Sequence, residues 1–219
     1  MSSEIKYRSP HPAFPSGQPL EVGDRFLIVP GEISLNTGNR LPLRLARGRA
    51  FGSGLHETTI SCIKALEELG PLENRTVLDV GTGTGILSLA ALSLGARRAA
   101  ALDIDPDAAL ACKVNAALNG VRDRLKILNG TLDALNPSLV FDIVMANIHG
   151  DILLSEASRL AEHTREGGHL ILSGLDYADS RPLRIAVAGH GMEAVSVLFL
   201  EDYVTQVWHR PPGRNGREP

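Results

Sequence analysis

Residues 77–85 read VLDVGTGTG, and this stretch is the most informative feature of the 219-residue chain. A short apolar and β-branched run ends in Gly81, Gly83 and Gly85, and a second apolar run begins at Ile86. We therefore predict a buried strand that turns tightly into a helix. Glycines let a ligand lie close to the backbone, and a helix N-terminus offers unpaired N–H groups. The stretch thus predicts a ligand-binding loop at the end of a strand.

Two aspartates near this loop indicate which ligand it holds. Asp79 ends the strand, and Asp103 follows after about one crossover unit, where a carboxylate suits ribose hydroxyls. The spacing G-x-G-x-G differs from the dinucleotide pattern G-x-G-x-x-G/A, because Ile86 occupies the third small position. Asp79 would also repel a pyrophosphate. The pattern therefore favours a cationic ligand with an amino acid end, such as S-adenosylmethionine.

At this point the chain resembles the class I S-adenosylmethionine-dependent methyltransferases, whose first motif is hydrophobic-hydrophobic-D-x-G-x-G-x-G. The resemblance implies S-adenosyl-L-methionine as the cofactor, held by Asp79, Gly81, Gly83, Gly85 and Asp103. On this reading Asp79 accepts a hydrogen bond from the amino group of the ligand, directly or through water. A purely structural role for Asp79, bracing the loop backbone, stays open.

Composition and charge limit the classes of protein to which the chain can belong. The net charge of −3 provides no global basic field that favours nucleic acid. Cys62 and Cys112 lie on apolar faces of predicted helices, form no disulfide framework, and have no Cys or His at zinc-ligand spacing. The N-terminus lacks the apolar core of a signal peptide, and no apolar run reaches transmembrane length. We expect a cytoplasmic protein without a metal site, a nucleic-acid partner or membrane contact.

Strand and helix patterns alternate from Thr76 onward and then end in two strands separated by Glu201-Asp202. This order predicts an α/β fold with a doubly wound, mostly parallel, Rossmann-like seven-stranded sheet and an antiparallel last strand. The Gly167-Gly168 pair is interpreted as a helix end. The predicted strands are 76–80, 98–103, 125–128, 141–146, 168–173, 192–200 and 203–209. The predicted helices are a first one near His56 to Leu69, then 84–94, 106–119, 150–164 and 177–188.

The chain is divided into three predicted parts. Residues 1–24 are rich in Pro, Ser and Gly and are expected to be poorly ordered, and Phe26–Val29 with Leu41–Leu45 predicts a short hairpin-like appendage. The parts are an N-terminal extension or linker with that hairpin, the methyltransferase domain, and a disordered tail, over residues 1–50, 51–209 and 210–219.

Residues at the ends of the other predicted strands complete the site, because ligands bind beyond the carboxyl ends of parallel strands. Ile104 is expected to pack on the adenine ring, and Asp105 to cap the next helix. Asn129, Gly130 and Thr131 are placed at the adenine edge, although such residues are also ordinary turn formers.

The fourth strand ends in MAN, and its Asn147 is the predicted catalytic residue. Its carbonyl can accept a hydrogen bond from an amine while the lone pair of that amine faces the methyl group. A helix N-cap or turn role for Asn147 is the structural alternative. His149 is either an exposed loop residue or a general base.

The segment AFGSGLHETT, Ala50 to Thr59, resembles the A-F-G-T-G-x-H-x-T-T segment of the ribosomal protein L11 methyltransferase family. With LDVGTGTG and MANI, the resemblance runs from about Val22 to His209. It implies that Thr58 or Thr59 binds the methionine carboxylate, whereas the residues alone suggest first-turn capping. The residues that it places at the cofactor and substrate mouth are Phe51, Gly52, His56, Thr58 and Thr59.

Three departures from that family bear on the acceptor. Ser53 stands where Thr is usual, and His149 stands where an apolar residue is usual. The family also carries an N-terminal α/β domain that grips the ribosomal protein, whereas only about fifty residues precede Phe51 here. We therefore expect a chain that lacks most of the substrate-recognition domain, and L11 itself is a doubtful substrate.

The function predicted from the sequence is S-adenosylmethionine-dependent N-methylation of a lysine or N-terminal amine on a protein. A small-molecule methyltransferase with the same core is one alternative. A non-catalytic cofactor-binding module that acts by protein contact is another. The glycine spacing argues against a nicotinamide oxidoreductase.

Overall fold

A central sheet of seven strands confirms the predicted α/β fold. The computed structural model describes residues 18–31, 36–46 and 56–213. Its strands are β1 (Leu20–Val22), β2 (Phe26–Pro30), β3 (Leu41–Leu45), β4 (Thr76–Val80), β5 (Arg98–Asp103), β6 (Leu125–Asn129), β7 (Phe141–Asn147), β8 (Thr164–Leu175), β9 (Glu193–Phe199) and β10 (Val204–His209). Its α-helices are α1 (Glu57–Glu68), α2 (Ile86–Ser93), α3 (Pro106–Leu118), α4 (Gly150–His163) and α5 (Tyr177–Gly189).

The strand order of the large sheet creates a switch point. The order is β6-β5-β4-β7-β8-β10-β9, and only β10 runs against the other strands. After β4 the chain builds outward through β5 and β6, and it then returns to the other side of β4 as β7. The carboxyl ends of β4 and β7 therefore flank the crevice where such sheets bind ligands.

Helices cover both faces of the sheet at its centre, which explains why the central strands β4 and β7 read as nearly continuous apolar runs. Val77 of β4 joins a core with residues of α1, α2 and α3, whereas its neighbour Leu78 joins a second core with residues of α4 and α5. Cys62 and Cys112, as predicted, are buried and unbridged in the first core.

The N-terminal strands pair differently from the predicted hairpin. β2 and β3 do pair, but they run parallel, with Phe26 opposite Leu41. The antiparallel hairpin is formed by β1 and β2, although β1 lies in the stretch that we expected to be poorly ordered. The reason is burial, because Val22, Phe26 and Ile28 pack into the same core as α1 and α2.

A side chain of α1 also stabilises the turn between β1 and β2. The Glu67 carboxylate accepts hydrogen bonds from the backbone N–H groups of Asp24 and Arg25, at 2.9 and 2.8 Å. Gly23 has a φ of 57°, and a Cβ there would lie 2.6 Å from Oε1 of Glu67. The N-terminal sheet is therefore docked on α1 by both apolar and polar contacts.

The interpretation of Gly167-Gly168 as a helix end is wrong. α4 ends at His163, and both glycines lie inside β8. A Cβ at Gly168 would lie 2.8 Å from the carbonyl oxygen of Asp142, at the point where the register between β7 and β8 shifts. The glycine is thus required by close approach of two strands. The other helices and strands from Thr76 onward begin and end within two residues of the predicted bounds.

Candidate functional site

The glycine loop joins the carboxyl end of β4 to the start of α2. Gly81, Gly83 and Gly85 have φ values of 72°, 54° and 83°, a region that other residues rarely adopt. A Cβ at Gly81 would clash with Ile148, and one at Gly85 would lie 2.6 Å from Sγ of Cys112. Gly85, the N-cap residue of α2, has no side chain with which to cap the helix. The N–H groups of all three glycines already donate to other groups of the protein, so contact of the loop with a ligand stays a prediction.

Asp79 is buried beneath this loop and braces it. Its Oδ2 atom accepts hydrogen bonds from the Thr82 hydroxyl, the Ser88 hydroxyl and the Ser88 N–H, at 2.7, 2.7 and 3.2 Å. Burial raises the pKa of Asp79 despite these three donors. The structural role that the sequence left open is therefore present, while contact with a ligand amino group stays a prediction.

Asp103 ends β5 and contacts the glycine loop directly. Its Oδ2 atom accepts a hydrogen bond of 2.8 Å from Gly83 N–H, and its Oδ1 atom accepts one of 3.0 Å from Asp105 N–H. Asp105 is the N-cap of α3, which confirms its predicted role. Ile104 between them exposes 71% of its surface, so an apolar side chain stands open beside the carboxylate.

The predicted adenine-edge residues lie beside Asp103. Gly130 N–H and the Asn129 side-chain amide donate to the Asp103 carbonyl oxygen at 2.8 and 2.9 Å. The Thr131 hydroxyl donates to the Asp133 carboxylate at 3.0 Å and caps a short 3-10 helix. The turn-forming role of Thr131 is thus observed, and adenine contact by Gly130 and Thr131 stays a prediction.

The start of α1 differs from the predicted capping by threonine. His56 is the N-cap, and its Nδ1 accepts the Thr58 N–H at 3.3 Å, so this nitrogen carries no proton. The Thr58 hydroxyl therefore donates to the same atom, at 2.7 Å. The His56 ring also meets Tyr203 edge-on, with 5.0 Å between centroids. The Thr58 hydroxyl is consequently already engaged within the protein.

Thr59, one residue further along α1, has a buried hydroxyl without a partner. Its residue exposure is 1%, and Oγ1 makes no hydrogen bond to any described residue. Among the described residues, no other buried side-chain oxygen or nitrogen has this property. Buried polar groups normally have partners, so this hydroxyl is suited to bind a group that the protein itself does not supply. Thr59 is therefore a better ligand-binding candidate than Thr58.

Asn147 ends β7 next to the glycine loop. It is half-buried and lies opposite Ser173 of β8, and its side-chain amide makes no hydrogen bond to any described residue. Ile148 follows and packs so close to Gly81 that a Cβ there has no room. The N-cap of α4 is His149, which is exposed and makes no side-chain capping bond. Asn147 is therefore not a helix cap, and its amide is open at the crevice.

Two predicted site residues, Phe51 and Gly52, lie outside the described residues. The start of α1 lies near the carboxyl ends of β7 and β8, because Ser61 of α1 contacts Thr205, and Thr205 contacts Ser173, which lies opposite Asn147. The described site residues thus come from α1, β4, β5 and β7 and face one end of the sheet.

The sequence reasoning missed a chain of buried hydroxyls that holds α1 against the sheet. Thr205 Oγ1 lies 2.5 Å from Ser61 Oγ and 2.6 Å from Ser173 Oγ. Ser61 also donates to the Thr58 carbonyl at 3.0 Å. The only signal was a pair of polar residues, Thr205 and Gln206, inside an apolar strand pattern. This chain positions the helix that carries Thr59.

Comparisons with known proteins identify similar chains. The sequence profile of the family described as "Ribosomal protein L11 methyltransferase (PrmA)" matches residues 15–208. Relatives named ribosomal protein L11 methyltransferase include one from Pelobacter propionicus, 38% identical over 88% of this chain and 63% of its own, and one from Bacillus pumilus, 35% identical over 85% and 60%. A crystal structure of ribosomal protein L11 methylase from Lactobacillus delbrueckii is 31% identical, with a TM-score of 0.78, over 88% of this chain and 98% of that one.

Two negative findings apply to the described part of the chain. None of its helices combines the length and the apolar character needed to cross a bilayer. Nor does it contain a group of three or more His, Cys, Asp or Glu side chains arranged to hold a metal ion.

Proposed function

Because the chain belongs to the ribosomal protein L11 methyltransferase family, we propose that it is an S-adenosyl-L-methionine-dependent N-methyltransferase acting on amino groups of a protein. The observation that carries this proposal is the open amide of Asn147 beside a glycine loop that is flanked by Asp79 and Asp103. The acceptor group is a lysine or N-terminal amine.

The residues at the crevice fit this cofactor. The unpartnered Thr59 hydroxyl offers a donor for the methionine carboxylate. Asp79 offers negative charge for the methionine amino group, and Asp103 offers a carboxylate for the ribose hydroxyls. Ile104 offers an apolar surface for the adenine ring, with Gly130 and Thr131 at its edge.

The main contribution of the protein to methyl transfer is to position the acceptor amine against the methyl group. S-adenosylmethionine, when bound, supplies an electrophilic methyl group on a sulfonium. The Asn147 carbonyl accepts an N–H of the acceptor amine and so aims the nitrogen lone pair at the crevice. The acceptor amine must be neutral when it attacks the methyl group. Asn147 acts only as a hydrogen-bond acceptor and does not remove a proton.

The identity of the acceptor protein is part of the proposal. The chain spans about 60% of the length of the curated relatives it matches. Ribosomal protein L11 is one candidate acceptor, by analogy with the names of those relatives. We propose that residues 51–209 carry the transfer chemistry, with residues 1–50 as an extension and residues 210–219 as a tail.

The test is transfer of labelled methyl groups from S-adenosylmethionine into an extract of unmethylated host proteins, with purified L11 in parallel. Asn147→Ala is compared with Asn136→Ala, an exposed asparagine in the turn before β7 whose side chain bonds, among the described residues, only Ser138 of the same turn. We expect label on protein with the native chain and with Asn136→Ala, and strongly reduced label with Asn147→Ala.

Each outcome assigns the acceptor class. Label on L11 supports both the chemistry and the acceptor suggested by the family. Label on a different protein supports the chemistry and replaces the acceptor. Label confined to small molecules contradicts the proposal in favour of a small-molecule methyltransferase, and no label with bound cofactor contradicts it in favour of a non-catalytic module.

A further inference from the structure

An apolar groove lies at the outer edge of the large sheet, between α3 and β6. It encloses a cavity of about 410 Å³. The floor is formed by Leu125, Ile127 and Asn129 of β6, and the wall by Ala109, Leu110 and Lys113 of α3. Leu110 exposes 60% of its surface although it is a large apolar residue. The groove is separate from Asn147, since β5 and β4 lie between β6 and β7, and it meets the proposed adenine edge at Asn129.

The floor strand offers unpaired backbone groups. β6 is the last strand in the order of the large sheet, so one of its edges has no neighbouring strand among the described residues. The Ala99 N–H donates to the Arg124 carbonyl, and the Gly130 N–H donates to the Asp103 carbonyl. The even-numbered residues of β6 therefore direct their backbone N–H and C=O groups toward β5. Since hydrogen bonds alternate along a parallel ladder, Ile127 and Asn129 direct their N–H and C=O groups outward. Such an edge is a template for another extended chain.

The two charged residues that line the groove are both basic. Lys113 lies on the wall and Arg122 lies at the end where β6 begins, and both are exposed. Within the described part of the chain, no acidic residue lines the groove. Neither cation forms an ion pair with a described acidic residue. The groove therefore combines an apolar floor, a free strand edge and positive charge.

We propose that this groove, formed by α3 and β6, binds an extended acidic segment of a partner protein by β-strand addition. The segment pairs with the outward backbone groups of Ile127 and Asn129. Its alternate side chains enter the groove, where apolar ones meet Leu125 and Leu110 and carboxylates meet Lys113 and Arg122. Strand addition supplies affinity through backbone hydrogen bonds, and the pockets for alternate side chains supply selectivity.

Charge argues for this partner over the other occupants. A second copy docked through the same edge would bring two basic grooves together with no acidic lining residue among the described ones to offset them, and like charges at an interface are unfavourable. The phosphates of a nucleic acid would pair with the two cations, but a nucleic acid would not form backbone hydrogen bonds along a strand edge or fill an apolar floor. An acidic protein segment uses all three features.

The experiment measures binding of a designed probe to the full chain by fluorescence anisotropy. The probe is the fluorescein-labelled peptide Glu-Thr-Val-Thr-Val-Thr-Glu, whose palindromic sequence suits either strand direction. We expect saturable binding that weakens about tenfold in Lys113→Glu and in Arg122→Glu. Lys126→Glu is the matched control, because Lys126 is an exposed cation on the same strand with its side chain on the opposite face, and we expect less than about a twofold change.

Two further measurements test strand pairing and the alternatives. A peptide N-methylated at every valine and threonine cannot donate along either edge and should lose binding. The unmodified peptide should slow amide exchange at Ile127 and Asn129. Absence of binding, or equal binding of the variant with lysine in place of glutamate, overturns the proposal. Dimerisation that the peptide displaces would assign the groove to a second copy, and tighter binding of a single-stranded oligonucleotide that Lys113→Glu abolishes would assign it to nucleic acid.

Discussion

The backbone N–H of Gly83 donates a 2.8 Å hydrogen bond to the carboxylate of Asp103, which joins the glycine loop to the tip of the neighbouring strand. The second oxygen of the same carboxylate accepts from Asp105 N–H. Asp103 is therefore a structural support of the loop as well as the proposed ribose ligand. Its removal should affect cofactor binding through both roles.

Asp103→Ala is expected to weaken cofactor binding by about 10- to 100-fold, since hydrogen bonds to a charged group contribute about 1.5–3 kcal/mol. Asn147→Ala is expected to leave binding nearly unchanged and to slow methyl transfer by about 100-fold. Titration calorimetry gives the affinities, and single-turnover transfer gives the rates. An equal loss of affinity in both variants would contradict this division of roles.

Thr59→Val is expected to stabilise the protein without cofactor and to weaken cofactor binding. The substitution removes a buried hydroxyl that has no described partner, so the free energy of unfolding should rise by about 1 kcal/mol. Cofactor affinity should fall about tenfold, because the proposed carboxylate donor is lost. Thermal unfolding and calorimetry measure the two effects.

Thr205→Val provides the matched control for that substitution. The Thr205 hydroxyl has partners in Ser61 and Ser173, so the same change should destabilise the protein by about 1–3 kcal/mol. If both threonine variants lost stability equally, the Thr59 hydroxyl would have a partner within the protein.

Cofactor affinity should depend on the protonation of Asp79. Burial raises the pKa of this carboxyl, so it becomes neutral at a higher pH than an ordinary aspartate. A neutral carboxyl no longer attracts an amino group, and affinity should therefore fall as pH drops through the raised pKa. Calorimetry across pH should show this fall in the native protein and a weak, flat profile in Asp79→Asn. A native profile that stays flat down to about pH 4 would exclude Asp79 as an electrostatic ligand.

His169 should make the protein less stable in mild acid. Burial lowers the pKa of His169, and the charges of His209, 5.1 Å away between ring centroids, and of Arg75 lower it further. A folded-state pKa below the unfolded value means that stability is fully present above about pH 6.5 and is lost as pH falls toward the folded-state pKa.

His169→Gln should accordingly show a smaller decrease in Tm between about pH 7.5 and 5.5 than the native protein. The control is His190→Gln, an exposed histidine after α5, which should keep the native decrease. Identical pH profiles for all three proteins would show that His169 is not protonated selectively in the unfolded state.

Local patterns in the sequence predicted most of the large sheet. The strands from β4 to β7 and the helices α2, α3 and α5 follow hydrophobic periodicity and turn residues within a few positions. Asp105 caps α3 through a bond to Asp107, only two residues away. The glycine loop and its flanking Asp79 could be predicted from the sequence for the same reason, since a tight turn requires glycine at fixed local positions.

Predictions failed where distant contacts decide the conformation. β1 forms because Val22 packs into the core of α1 and because Glu67 holds the following turn. β8 begins at Thr164 rather than at the predicted residue 168, and the backbone of Asp142 approaches Gly168 closely where the register with β7 shifts. His56 rather than a threonine caps α1, and its ring packs on Tyr203, far away in sequence. No local pattern contains these partners.

Periodicity, turn geometry and capping act over a few residues, so the order of strands and helices, the glycine loop and the aspartates beside it follow from the local sequence. Which hydroxyl at the start of α1 lacks a partner, and how α1 is held over the crevice, depend on tertiary contacts. The Ser61–Thr205 contact joins residues 144 positions apart, and the free Asn147 amide depends on packing between separate strands. Such contacts arise only when the whole sheet has closed its core.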